Sequence, residues 1–191
     1  PYFMMGSVMA EYLGLKPRFC ASLTVGGATP AVSLHHAAIA IVTGQANVVL
    51  VTAGENRATG QSRDATVQAL TQVSHPYFES LYGPLIPSFY AMVARRYIHE
   101  YGITREEMAQ VAVQSRDHAV RHPASPMTER ITVDDVLNSK VIAEPLNILD
   151  CCLISDSAGA FIVTSADRAK DLRVAPAWLL GVGEYHTHEH I

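Results

Sequence analysis

Residues Leu23–Gly44 read LTVGGATPAVSLHHAAIAIVTG, and this stretch decides the fold. Arg18–Val25 alternates enough to predict a strand leading into it. Gly26–Pro30 follows as a small-residue elbow, with Pro30 suited to the first turn of a helix. Ala31–Thr43 is apolar nearly all round, which predicts a helix buried within the protein, and Gly44 ends it. At such a strand–loop–helix elbow, backbone N–H groups and the positive end of the helix dipole converge. That geometry suits an acyl or anionic group, or a nucleophile. Gly26 and Gly27 let a ligand approach more closely than a Cβ would permit. The same pattern also fits a tight turn whose glycines serve geometry alone.

Working outward, Asn47–Ala53, NVVLVTA, predicts a short central parallel strand covered on both faces. Strand, buried helix, turn and buried strand form βαβ grammar. Upstream, Tyr2–Leu13 predicts an amphipathic helix closed by Gly14 and Pro17. Downstream, Gly54–Gly83 is polar and dotted with aromatics, and reads as a surface excursion with a short helix near Ala65–Thr71. Ser88–Tyr101 predicts a helix ending at Gly102. Thr104-Arg-Glu-Glu107 is a capping box that starts a helix running to about His122, stopped by Pro123. Thr132-Val-Asp-Asp135 starts a shorter one. Val141–Ala143, Ala158–Thr164 and Trp178–Val182 are strand candidates, with a helix at Ser165–Leu172.

The composition narrows the function classes. The chain has 191 residues, 49% of them hydrophobic, enough for one sizeable core. A net charge of −4 without a basic patch argues against nucleic acid as a partner. The longest apolar runs are broken by His35, His36 and Gln45, so no membrane span is expected. Cys20, Cys151 and Cys152 lack framework spacing, which fits a reducing, cytoplasmic setting. Pro1 opens directly onto a helical pattern, so the sequence reads as a portion of a longer chain.

The segment GGATPAVSLHHAAIAIVTGQANVVLVTAGEN resembles the nucleophile loop of the thiolase superfamily. In that family a cysteine opens a Cys-Ala-Thr-Gly or Cys-Gly-Ser-Gly motif, followed by a buried Ala-rich helix, a glycine and a strand ending in Gly-x-Glu. Ala28-Thr29 matches the second and third motif positions, Gly44 the helix-ending glycine, and Ala53-Gly54-Glu55 the strand end. Gly27 stands in the slot of the nucleophilic cysteine, and Pro30 replaces the usual fourth-position glycine. Further on, Tyr101-Gly102, His122-Pro123, Ala143-Glu144-Pro145, Asp150-Cys151-Cys152 and Ser155-Asp156-Ser157-Ala158 are similar to the sterol-carrier-protein (lipid-transfer) branch.

The resemblance implies an α/β fold of the layered αβαβα thiolase type, mostly its N-terminal half. Residues 1–174 would form the N-terminal domain, with a loop domain inserted at about 54–141, and 175–191 would open the C-terminal half. It implies an acyl-CoA thioester as substrate, no cofactor, a homodimer or homotetramer, and the 18–25 strand near the dimer interface. Gly26, Gly27, Ala28 and Thr29 would be substrate-binding. No catalytic residue is assigned, because glycine cannot attack a thioester. Three functions stay open: acyl transfer, retro-aldol cleavage of a β-hydroxyacyl-CoA with an OB-fold partner, and a non-catalytic acyl-CoA-binding or scaffold subunit. His35 and His36 read as core or interface histidines. His186, His188 and His190 alternate, so on a strand they would share one face and could bind zinc. A junction segment without metal is the preferred reading.

Overall fold

The computed structural model describes residues 4–71 and 74–187. Two compact units emerge, Pro1–Glu55 with Asp156–His186, and Asn56–Ser155 with Thr187–Ile191.

In the first unit, α1 spans Met5–Tyr12 and α2 spans Thr29–Val42. Pro30 lies in the first turn of α2, where its missing N–H costs nothing. β1 covers Val48–Asn56 and pairs with β4, Asp156–Thr164, in a two-stranded sheet. The Thr164 hydroxyl donates to the Asn47 carbonyl at 2.9 Å at one end. At the other end Gly54 lies against Ser157 and Ala158. The two strands therefore run in opposite directions, so the described partner of β1 is antiparallel where the sequence predicts a central parallel strand. α2 packs on β4.

Four further expectations are corrected in this unit. Arg18–Val25 forms no strand; apart from a single bridge between Val25 and Gly27 it is irregular. Trp178–Val182 is likewise irregular. Both have strand-like composition, but a strand exists only where a neighbour completes its ladder, and none of the described strands does so. β1 is not covered on both faces: Val51 is buried, while Val48 and Leu50 are exposed. α2 is buried only along Val32, Ala37 and Ala40, and Val42 is 86% exposed.

The second unit carries α3 (Arg63–Thr71), α4 (Ile86–Tyr101), α5 (Arg105–Ala119), α6 (Val133–Asn138), β2 (Val141–Ala143) and β3 (Leu146–Asn147). α4 ends at Gly102, whose φ of +66° only glycine adopts cheaply. Both predicted capping boxes form. Thr104 and Glu107 satisfy each other's N–H groups at the start of α5, and Thr132 and Asp135 do so for α6. α5 stops at Ala119, before the predicted His122, and turns through residues 120–122. β2 and β3 pair antiparallel across the cis Glu144–Pro145 bond. α4 packs on this hairpin, and α5 packs on α6. Phe89, Ala91, Ala94, Ala109 and Val136 are buried along these elements.

A polar cluster closes this unit. Asn147, 6% exposed, donates its side-chain amide to the carbonyls of Leu137 and Ser139 at 3.0 and 2.7 Å. Asp150 accepts the Asn147 backbone N–H and the Arg105 guanidinium, both at 2.8 Å. Among the described residues, no helix is long and apolar enough to cross a membrane. Back in the first unit, α7 is a short Ala166–Ala169 helix after β4, half the length predicted.

Candidate functional site

The elbow between Val25 and α2 is built by one side chain. The Thr29 hydroxyl accepts the Val25 N–H at 2.9 Å and donates to the Gly26 carbonyl at 2.7 Å. The Thr29 N–H also donates to the Gly26 carbonyl, at 3.1 Å. Gly26 turns the chain with φ of +64°, a conformation that disfavours any residue with a Cβ. Ala28 occupies the position that caps α2 and supplies no side-chain acceptor. The N-terminal turn of α2 is therefore capped by backbone geometry, and its dipole end faces outward at an exposed loop.

Gly27 differs from Gly26. Its φ lies outside the left-handed region, and a Cβ built there meets no atom within 4 Å. The position above Gly27 is open space on ordinary backbone, so the glycine there is not required by the turn. Of the four residues predicted to bind substrate, Gly26, Gly27 and Ala28 present only backbone and a methyl group at the mouth of α2. Thr29 spends its hydroxyl within the elbow.

The three cysteines are free thiols, and none stands within the elbow residues 26–30. Cys20 lies beside Gly6 of α1, where a Cβ on Gly6 would come 2.9 Å from its sulfur. Burial pushes the Cys151 thiol above its ordinary range, and the neighbouring Asp150 and Cys152 add to the shift. A raised thiol is a poor source of thiolate.

Sequence reasoning missed a second feature of the first unit. Glu184 bridges two imidazoles: His35 Nδ1 lies 2.7 Å from one carboxylate oxygen, and His186 Nε2 lies 2.7 Å from the other. These hydrogen bonds, that of His186 first, hold the Glu184 carboxyl below its usual value. His36 stands edge-on to His35 with ring centroids 6.1 Å apart. The two histidines were singled out in the sequence, but a pairing across 149 residues leaves no local signal. Among the described residues no group of three or more His, Cys, Asp or Glu side chains could hold a metal ion. His188 and His190 lie outside the described residues.

This fold and elbow define a protein class. The model of the thiolase N-terminal domain matches residues 17–167, and the chain belongs to the thiolase family. It is 36% identical over 167 residues to an acetyl-CoA acetyltransferase of Methanocaldococcus jannaschii, covering 87% of this chain and 42% of that protein. It is 37% identical to a steroid side-chain-cleaving aldolase of Thermomonospora curvata, covering 87% of this chain and 44% of that one. A solved structure described as an Ltp2–ChsH2(DUF35) aldolase superposes with a TM-score of 0.77 at 34% identity, over 94% of this chain and 47% of its own. The chain thus spans a little under half the length of the relatives it matches.

Proposed function

We propose that this chain is the acyl-CoA-binding half of a thiolase-family enzyme that breaks a carbon–carbon bond without forming an acyl-enzyme. Gly27 carries this reading: the slot for a nucleophile holds no side chain, although the backbone would accept one. Retro-aldol cleavage needs no covalent thioester. A base removes the β-hydroxyl proton of a β-hydroxyacyl-CoA, and the Cα–Cβ bond breaks. The β-carbon departs as an aldehyde or ketone, and the electron pair forms a thioester enolate that is then protonated. N–H groups at the mouth of α2 suit the developing oxyanion. Gly26, Gly27, Ala28 and Thr29 form this binding surface. The steroid-cleaving aldolase, and the 17-hydroxy-3-oxo-4-pregnene-20-carboxyl-CoA lyase of Mycobacterium tuberculosis at 36% identity, support the chemistry.

The proposal carries a domain reading. Residues 1–174 are the N-terminal domain with a loop domain at about 54–141, and 175–191 lead into the C-terminal half. The enzyme is a cytoplasmic homodimer or homotetramer that works with an OB-fold accessory protein and needs no cofactor beyond its CoA thioester.

Acyl transfer is the second reading, favoured by the similarity to the acetyl-CoA acetyltransferase. Incubating the full chain with a β-hydroxyacyl-CoA, with and without an OB-fold partner, decides between them. Release of a carbonyl product supports cleavage. Thiolysis of acetoacetyl-CoA in its place overturns it. Binding of CoA esters with neither activity leaves a non-catalytic subunit.

A further inference from the structure

Segment 181–186 has no regular structure, and no described strand pairs with it. A side chain from within it, Glu184, nevertheless meets His35 of α2. We propose that Glu184 is a positioning residue that fastens this segment to α2 and holds His35 in its Nδ1–H tautomer. The inference does not rest on the reaction proposed above.

The geometry is bidentate: each carboxylate oxygen serves one imidazole, at 2.7 Å in both cases. An ionised carboxylate has acceptors only, so a neutral imidazole must offer it an N–H. His35 therefore carries its proton on Nδ1 and His186 on Nε2. The lone pairs left over are His35 Nε2 and His186 Nδ1. The Glu184 and His35 side chains are 25% and 28% exposed, so water competes less than it does at an open surface. His186, at 59%, is the outer partner.

The anchor is well placed. His35 follows Thr29 by six residues, about 9 Å along the helix at 1.5 Å per residue. The clasp thus acts on the same rigid helix whose first turn forms the elbow. The other ionisable groups nearby in sequence on these two elements are His36, on the next position of α2, and Tyr185, between Glu184 and His186. His36 meets His35 ring edge to ring and Tyr185 is 89% exposed, so neither takes the place of the carboxylate.

Long-range ¹H–¹⁵N NMR on the full chain, at a pH where the histidines are neutral, reads the tautomer directly. His35 is expected as Nδ1–H in the wild type and as the Nε2–H form favoured by free histidine in Glu184→Ala. Motion of residues 181–186, read as a drop in their ¹⁵N heteronuclear NOE, should increase in that variant, while α5 stays unchanged. His35→Gln should loosen the same segment with Glu184 intact. An Nε2–H tautomer in the wild type, a tautomer indifferent to Glu184→Ala, or an unaltered heteronuclear NOE in 181–186 would overturn the proposal.

Discussion

The Thr29 hydroxyl closes the elbow on Val25, accepting its N–H at 2.9 Å while donating to the Gly26 carbonyl at 2.7 Å. One side chain thereby fixes the chain on both sides of the glycine pair. Thr29→Val keeps the shape and removes both bonds. The expected cost is about 1–3 kcal/mol, from two net contributions of about 0.5–1.5 kcal/mol each. Thr29→Ser should keep most of it. Denaturation midpoints and exchange of the Val25 amide measure the loss, and unchanged exchange in Thr29→Val would show that the hydroxyl does not hold the turn.

The two glycines should respond differently to the same methyl group. Gly27→Ala meets open space and should leave stability within about 0.5 kcal/mol, the usual range for a surface change. Gly26→Ala forces a Cβ into φ of +64° and should cost about 1–2 kcal/mol. Gly27→Cys should fold like the alanine variant and place a thiol at the N-terminus of α2, where thiolate is favoured. Alkylation kinetics against pH give the test: the new thiol should react at lower pH than free cysteine. Acetoacetyl-CoA thiolysis gained by this variant would show that the remaining machinery of acyl transfer is present.

In the second unit, Asp150 is only 9% exposed at its side chain, with the Arg105 guanidinium and the Asn147 N–H as its partners. Asp150→Leu leaves Arg105 without its carboxylate and should cost about 2–4 kcal/mol, near the range for removing one member of a buried pair. Arg105→Met should cost less than the sum of parts when combined with it. A double-mutant cycle by urea denaturation gives the coupling, and additive losses would mean the pair acts independently.

Acid should weaken the clasp and one helix cap together. Glu184 is lowered by its hydrogen bonds to His186 and His35, and Asp135 by those from the Thr132 backbone and hydroxyl. A carboxyl lowered in the folded state contributes stability above its unfolded value, and loses it as pH falls through the folded value. The loss therefore begins below the ordinary 4.5 for Glu184 and 3.8 for Asp135. The stability gap between wild type and Glu184→Gln should be present at pH 6 and close below that value. A gap that widens on acidification would contradict the assigned direction.

Local signals proved readable and distant ones did not. The capping boxes at Thr104 and Thr132 and the stop at Gly102 depend on residues within four positions of each other, and they stand where the sequence places them. Pro30 marks the start of α2 for the same reason. The family was legible in the order and spacing of the motifs that carry the resemblance. What failed were statements about neighbours. NVVLVTA encodes an affinity for cover without saying what supplies it, and Val48 and Leu50 are exposed. Arg18–Val25 alternates like a strand yet meets no ladder among the described strands. The Glu184 clasp joins positions 149 apart, beyond any pattern of period or spacing.

The vacant space above Gly27 has a consequence for how such proteins diverge. Glycine and cysteine codons can differ by a single base. Where the turn needs its glycine, as at Gly26, that mutation is penalised in folding. At Gly27 the backbone is indifferent, so a thiol can be gained there in one genetic step with the scaffold intact.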